Sequence, residues 1–259
     1  MTTVRQQLDT AELEERVKRM YEEVALEPDH EFHFETGRPL AERLGYRTDD
    51  LDRIPAAAIE SFAGVGYFQD LAAITSGEAV LDLGSGSGTD TFVAALKTGP
   101  EGRVVGIDMT DAQLAKARGL AEEAGLAQVE LRAGYIEDPP VDDGRFDCVI
   151  SNGVINLSPD KPAVFAAAAR ALHSGGRLAL ADIVSEQQLP EGVTCDASLW
   201  AACIGGAMQQ DGYRAAIESA GFEIETWREN SAYRFVSDRA DNATQKYGVT
   251  SVSVLARRP

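Results

Sequence analysis

Apolar positions along the 259-residue chain change their period near residue 79. Before it, Leu13, Val17, Met20, Tyr21 and Val24 recur at helical spacing, which predicts an amphipathic helix over 11–25. Residues 26–78 are mixed, carry Pro28, Pro39 and Pro55, and read as short helices and loops. From residue 79, short apolar runs alternate with helical patterns of roughly 10–15 residues. AVLDLG (79–84), RVVGID (103–108), VELRAG (129–134), FDCVISN (146–152) and RLALADIV (177–184) read as strands. FEIETWRE (222–229) and TSVSVLAR (250–257) read as two closing strands.

Strands alternating with helices of this length build parallel βαβ units with right-handed crossovers. The expected fold is therefore α/β, a Rossmann-like, doubly wound, mostly parallel seven-stranded sheet. An N-terminal helical extension (1–78) precedes the sheet domain (79–259), and residues 185–210 interrupt the alternation as a lid. Thr110-Asp111-Ala112-Gln113 reads as a capping box that starts a helix ending at Gly125. Ser174-Gly175-Gly176 is expected to stop the helix KPAVFAAAARAL.

Composition narrows the function. A hydrophobic fraction of 44% sustains a buried core, and a net charge of −18 repels phosphate backbones and anionic lipid surfaces. No nucleic-acid or membrane partner is expected, and no apolar run is long enough to span a bilayer. Met1–Leu13 is polar and does not read as a secretory leader. Cys148, Cys195 and Cys203 make no even disulfide framework, which suggests a reducing cytoplasm. The partner expected is a small molecule, and the chain a monomer or homodimer.

The strongest chemical signal is Val80-Leu81-Asp82-Leu83-Gly84-Ser85-Gly86-Ser87-Gly88. Glycines between a buried strand and a helix let the backbone approach a ligand and point helix amides at it. The spacing is G-x-G-x-G, not the G-x-G-x-x-G of dinucleotide sites, and Asp82 stands two residues before the first glycine. This resembles motif I of class I methyltransferases, which implies S-adenosyl-L-methionine as cofactor, with Asp82 near its cationic amino-acid end. Asp108 ends the second strand, where a carboxylate accepts hydrogen bonds from ribose hydroxyls. A strand-end aspartate also serves simply as a turn or cap residue. Met109 and Gln113 follow it, Ile136 and Glu137 follow the third strand, and Ser151 and Asn152 end the fourth. With Ser85, these complete the expected cofactor contacts.

Residues 79–222 are similar to arsenite methyltransferases. The carriers are VLDLGSGSGTD, VVGIDMTDAQLAKAR, GYIEDPP, ISNGVINLSPDK, ALHSGGRLALADIV and DASLWAACIGGAM. The resemblance implies that the loop holding Ile136 and Glu137 borders the adenine. It also implies arsenic held by three cysteine thiolates, which suit a soft centre. Two of those positions are changed here, to Val65 and Gly153, and only Cys203 is kept. Cys195 lies eight residues away, roughly 12 Å along a continuous helix, unless a loop at Asp196 draws it closer. Cys148 reads as a small buried hydrophobe.

These changes suggest that the cofactor site persists while the acceptor is redirected to an organic nucleophile. His30, His33 and Tyr21 are the candidate general bases, and Cys203 a candidate catalytic thiol. Trp200, Met208 and Tyr233 are further candidates for the acceptor pocket. The pair His30 and His33 lacks further ligands, so no metal site is expected. Arsenite methylation by Cys203 with Cys195 or external thiols, and cofactor binding without catalysis, remain the alternatives. A nicotinamide-dependent oxidoreductase is a more distant one.

Overall fold

Leu81, Leu83, Val105, Ile107, Val149 and Leu178 on one face of the strands, and Val80, Val104, Ile150 and Ala179 on the other, are fully buried, as strands covered on both faces require. In a computed structural model describing residues 8–195, 200, 204–236 and 245–259, these runs form one twisted sheet. The strands are β1 (Ala79–Leu83), β2 (Arg103–Asp108), β3 (Val129–Ala133), β4 (Phe146–Asn152), β5 (Leu172–Ser185), β6 (Met208–Gln209), β7 (Glu223–Glu229) and β8 (Val249–Arg257). Their order is β3-β2-β1-β4-β5-β8-β7. β1 to β5 are parallel, while β8 runs antiparallel between β5 and β7. The seven expected strands are thus joined by an eighth, two residues long, which pairs with the end of β5.

The segment before β1 holds α1 (Thr10–Leu26), α2 (Gly37–Leu44), α3 (Thr48–Leu51), α4 (Ala56–Glu60) and α5 (Gln69–Ala72). Helices α6 (Thr89–Thr98), α7 (Asp111–Glu123), α8 (Lys161–Ala171), α9 (Glu191–Thr194) and α10 (Gln210–Ser219) follow. Leu40, Leu51 and Ile59 of the first segment share a buried cluster with Phe92 and Val93 of α6 and Leu114 of α7. This explains why α6 is buried on nearly every side. One face lies on β1 and β2 and the other under α2–α4.

Two local expectations are corrected. Thr110 is the N-cap of α7, but its side chain caps nothing, and Gln113 does not reach back to it. Instead Gln113 donates to the Tyr21 carbonyl at 2.7 Å and accepts from the Ser87 hydroxyl. Tertiary partners win the side chain from the local motif. Helix α8 also ends at Ala171, earlier than the Ser-Gly-Gly stop. The amides of Gly144 and Arg145 take the carbonyls of Arg170 and Ala171, so the chain entering β4 starts β5 at Leu172.

The interrupting segment 185–210 is described in part. It contributes α9, Leu189, Trp200, Ile204 and the strand β6. Leu189, Trp200 and Ile204 belong to one buried cluster with Leu13, Val17, Val65 and Leu157.

Candidate active site

The strand order reverses between β1 and β4, and open α/β sheets bind ligands at the carboxyl ends beside such a point. A cavity of about 390 Å³ opens there, within the range of small-molecule sites. Its floor is the glycine turn Gly84 to Ser87 with Thr89 and Asp90. Asp108, Met109, Thr110 and Gln113 form one wall, Gly134 to Glu137 a second, and Asn152 to Val154 a third. Helix α1 covers it with Thr10, Leu13, Glu14, Val17 and Tyr21.

Gly84 shows why the turn needs glycine. Its φ is +82°, and a Cβ there would stand 2.4 Å from Cγ2 of Val154. Asp108 accepts from the Gly86 amide at 2.9 Å and the Thr110 amide at 2.8 Å. Burial still raises its pKa against those bonds.

Helix α1 is tied down at both ends of its cavity face. Gln113 holds the Tyr21 carbonyl, and Lys116 donates to the Ala25 carbonyl at 3.0 Å. At the other end the Tyr135 hydroxyl donates to Glu14 at 2.7 Å and receives from Lys18 at 3.1 Å. Glu137 accepts from the Ser158 hydroxyl across the mouth.

Of the expected cofactor residues, Gly84, Ser85, Gly86, Asp108, Met109, Gln113, Ile136, Glu137 and Asn152 line the cavity. Asp82, Gly88 and Ser151 do not. Asp82 is 2% exposed and accepts from the Thr91 hydroxyl at 2.6 Å; burial, then Asp90 nearby, pushes its pKa up to about 8. Gly88 caps α6, and the Ser151 hydroxyl donates to the Leu83 carbonyl, joining β4 to β1.

Among the described residues, those expected to carry catalysis do not share the cavity. Tyr21 lines the cavity. His30 is exposed, edge-on to Phe32, and half-buried His33 stands edge-on to Phe34; neither lines the cavity. Trp200 packs over the Lys161 ammonium and donates to the Thr194 carbonyl, and Met208 lies in β6. Tyr233 stands edge-on to Phe235. Cys203 lies outside the described residues. Cys148 is fully buried in β4, where burial pushes its thiol up to about 12. Val65 and Gly153 do meet, since a Cβ on Gly153 would stand 3.0 Å from Cγ1 of Val65.

Sequence reasoning missed Asp90, which lines the cavity floor. It accepts from Tyr46 at 2.5 Å, Gln69 at 2.8 Å and Asn152 at 3.0 Å. An acid in the first turn of a helix looks like ordinary dipole compensation, so nothing in the pattern marked it.

A glycine cradle, the strand-end carboxylate of Asp108 and the buried Ser85 hydroxyl, which has no partner among the described residues, fit a polar nucleoside ligand. Comparison with known proteins agrees with this geometry. Over 227 residues the chain is 39% identical to the arsenite methyltransferase of Halobacterium salinarum, covering 87% of this chain and 58% of that protein. It is 37% identical over 142 residues to nocamycin O-methyltransferase of Saccharothrix syringae, covering 52% of this chain and 51% of that protein. The fold superposes on an arsenic(III) S-adenosylmethionine methyltransferase from Chlamydomonas reinhardtii with a TM-score of 0.63 and 27% identity, covering 86% of this chain and 74% of the other. The chain spans about half the length of the curated relatives it matches. A model of the methyltransferase domain matches residues 74–221, more than half of the sequence, and the chain belongs to that methyltransferase domain family.

Proposed function

We propose that the protein transfers a methyl group from S-adenosylmethionine to a small organic nucleophile. Bound in the cavity, the cofactor supplies an electrophilic methyl on a sulfonium. Gly84 and Gly86 bring the backbone against it, and Asp108 receives its ribose hydroxyls. Met109, Ile136 and Glu137 border its base. Helix α1, which gives Thr10, Leu13, Glu14, Val17 and Tyr21 to the lining, excludes water from the reacting end. Aligning acceptor and methyl is chiefly an effect of proximity and orientation, so the protein needs few reacting groups of its own.

The observation that carries the choice of acceptor is the contact between Val65 and Gly153. The two positions that the arsenite methyltransferase resemblance assigns to cysteine lie side by side, and neither offers a thiol. An apolar pair at this place suits an organic acceptor, as does the similarity to an O-methyltransferase. Tyr21 is the one candidate base that lines the cavity.

The similarity to arsenite methyltransferases favours a second reading, with Cys203 and external thiols completing an altered arsenic site. Methyl transfer from labelled S-adenosylmethionine to arsenite, with a reducing thiol present, separates the two. The organic reading expects no methylarsenic product alongside tight cofactor binding. Robust product that Cys203→Ser abolishes would overturn it.

A further inference from the structure

Lys161 opens α8 and is only 3% exposed, a rare place for a lysine. Its ammonium donates to the Asn156 carbonyl at 3.0 Å and to the Ser158 carbonyl at 2.9 Å. It also lies over the Trp200 ring, 4.7 Å from the centroid. Among the described residues no carboxylate forms an ion pair with it, and Asp182 and Glu137 act on it from a distance. A buried ammonium without an ion pair is costly, so two carbonyls and a ring face must offset the lost water.

The segment that Lys161 holds is part of the cavity. Leu157, Ser158 and Pro159 line it, and the Ser158 hydroxyl donates to Glu137 on the facing wall. The Asn156 amide donates to Asp182 at 2.7 Å, and Asp182 takes the Tyr213 hydroxyl at 2.6 Å, which anchors the same segment to β5 and α10. On the other side of the ammonium, Trp200 donates to the Thr194 carbonyl at 2.8 Å. Gly205 and Gly206 complete the contact. A Cβ on Gly205 would strike the Trp200 ring, and one on Gly206 would strike the very Asn156 carbonyl that Lys161 holds.

We propose that Lys161 is a positioning residue whose ammonium fastens Trp200 and the Gly205–Gly206 backbone to residues 156–159 and so fixes one wall of the cofactor cavity. The consequence for the ligand rests on the S-adenosylmethionine reading; the contact itself does not. The fastening needs the proton, because a neutral amine still donates to two carbonyls but no longer attracts the ring face. Burial pushes the Lys161 pKa down to about 8, against the opposing pull of Asp182 on β5 and Glu137 after β3. The hold on Trp200 therefore weakens as pH rises through that value.

Trp200 and Trp227 are the two tryptophans, so Trp227→Phe leaves Trp200 as the only indole. Its emission, followed without ligand, should change with a midpoint near pH 8. The change should vanish in Lys161→Met, which has no charge to lose, and in Lys161→Arg, which never loses it. The arginine variant and the parent profile decide the matter if the methionine variant does not fold. In calorimetric titration at neutral pH, Lys161→Met should bind S-adenosylhomocysteine about threefold to tenfold more weakly, the scale of one lost hydrogen bond. A flat emission profile in the parent, a transition near pH 8 that survives in either variant, or unchanged S-adenosylhomocysteine affinity in Lys161→Met would overturn the proposal. A wild-type protein that binds no S-adenosylhomocysteine would sink the cofactor reading, while the emission profile would still decide the Lys161 contact.

Discussion

At the scale of single residues, Gly153 carries two constraints at once. Its φ of +70° is left-handed, and a Cβ would press on Val65 at 3.0 Å. Any side chain there must bear the left-handed backbone, which costs roughly 1–2 kcal/mol for an L-residue. Gly153→Ala should therefore lower unfolding stability by about that amount, read from the urea midpoint at constant m-value. An unchanged midpoint would show that neither the left-handed backbone nor the Val65 contact resists a side chain at this position. Cys148 allows a second check. Its burial and raised thiol leave almost no thiolate at neutral pH, so in the native protein a thiol reagent should spare it until denaturant is added. Peptide mapping after mild labelling reads this directly. Its burial in the fourth strand was legible from the apolar run around it. The place of Asp90 on the cavity floor was not, because its three donors come from segments 44, 21 and 62 residues distant in the chain.

At the scale of elements, α1 acts as a cover fastened by side chains from α7 and the loop after β3. Its amphipathic face was readable from the sequence, since Leu13, Val17 and Val24 recur at helical spacing and are buried. What that face covers was not readable, because a helical stripe does not name the surface it packs on. Gln113 illustrates the limit. Four residues of capping-box pattern are a local signal, yet the side chain is 2% exposed and joins the glycine turn to α1. Replacing it with leucine leaves the Tyr21 carbonyl and the Ser87 hydroxyl without this partner, at a cost of about 1–3 kcal/mol. The same loss frees α1 from the cavity wall. Gln113→Leu should thus lower the melting temperature and raise the dissociation rate of S-adenosylhomocysteine in stopped-flow measurements. A slower or unchanged dissociation rate would mean that α1 does not retain the ligand.

At the scale of the whole molecule, an acidic chain buries several carboxylates around an anion-rich cavity. The parallel sheet was legible because buried strands read as apolar runs ending in glycine or acid. The electrostatic consequence needed the structure, because Asp82, Asp90 and Asp108 become neighbours only when β1, α6 and β2 are assembled. Burial raises the pKa of all three, that of Asp82 to about 8. A folded-state pKa raised above the unfolded value means that the folded protein holds the proton more tightly. The associated stability is full below the unfolded carboxylate range and is lost as pH climbs through about 8 for Asp82. Between pH 5 and 7 that one group alone sets a fall of about 1.4 kcal/mol per pH unit. His173, raised by its bond to Asp147, acts in the same sense but is half exposed. Lys161, lowered to about 8 by burial, adds stability with rising pH only above that value. The ligand-free protein should therefore lose stability steadily from pH 5 to 7 in chemical denaturation, and Asp82→Asn should flatten the profile. A cationic ligand stabilises the ionised form of Asp90 and Asp108, which line the cavity, so S-adenosylmethionine should release protons on binding, measurable as a buffer-dependent heat. A profile that stays level without ligand would mean that the buried acids are ionised throughout and that their charge is balanced by the fold itself.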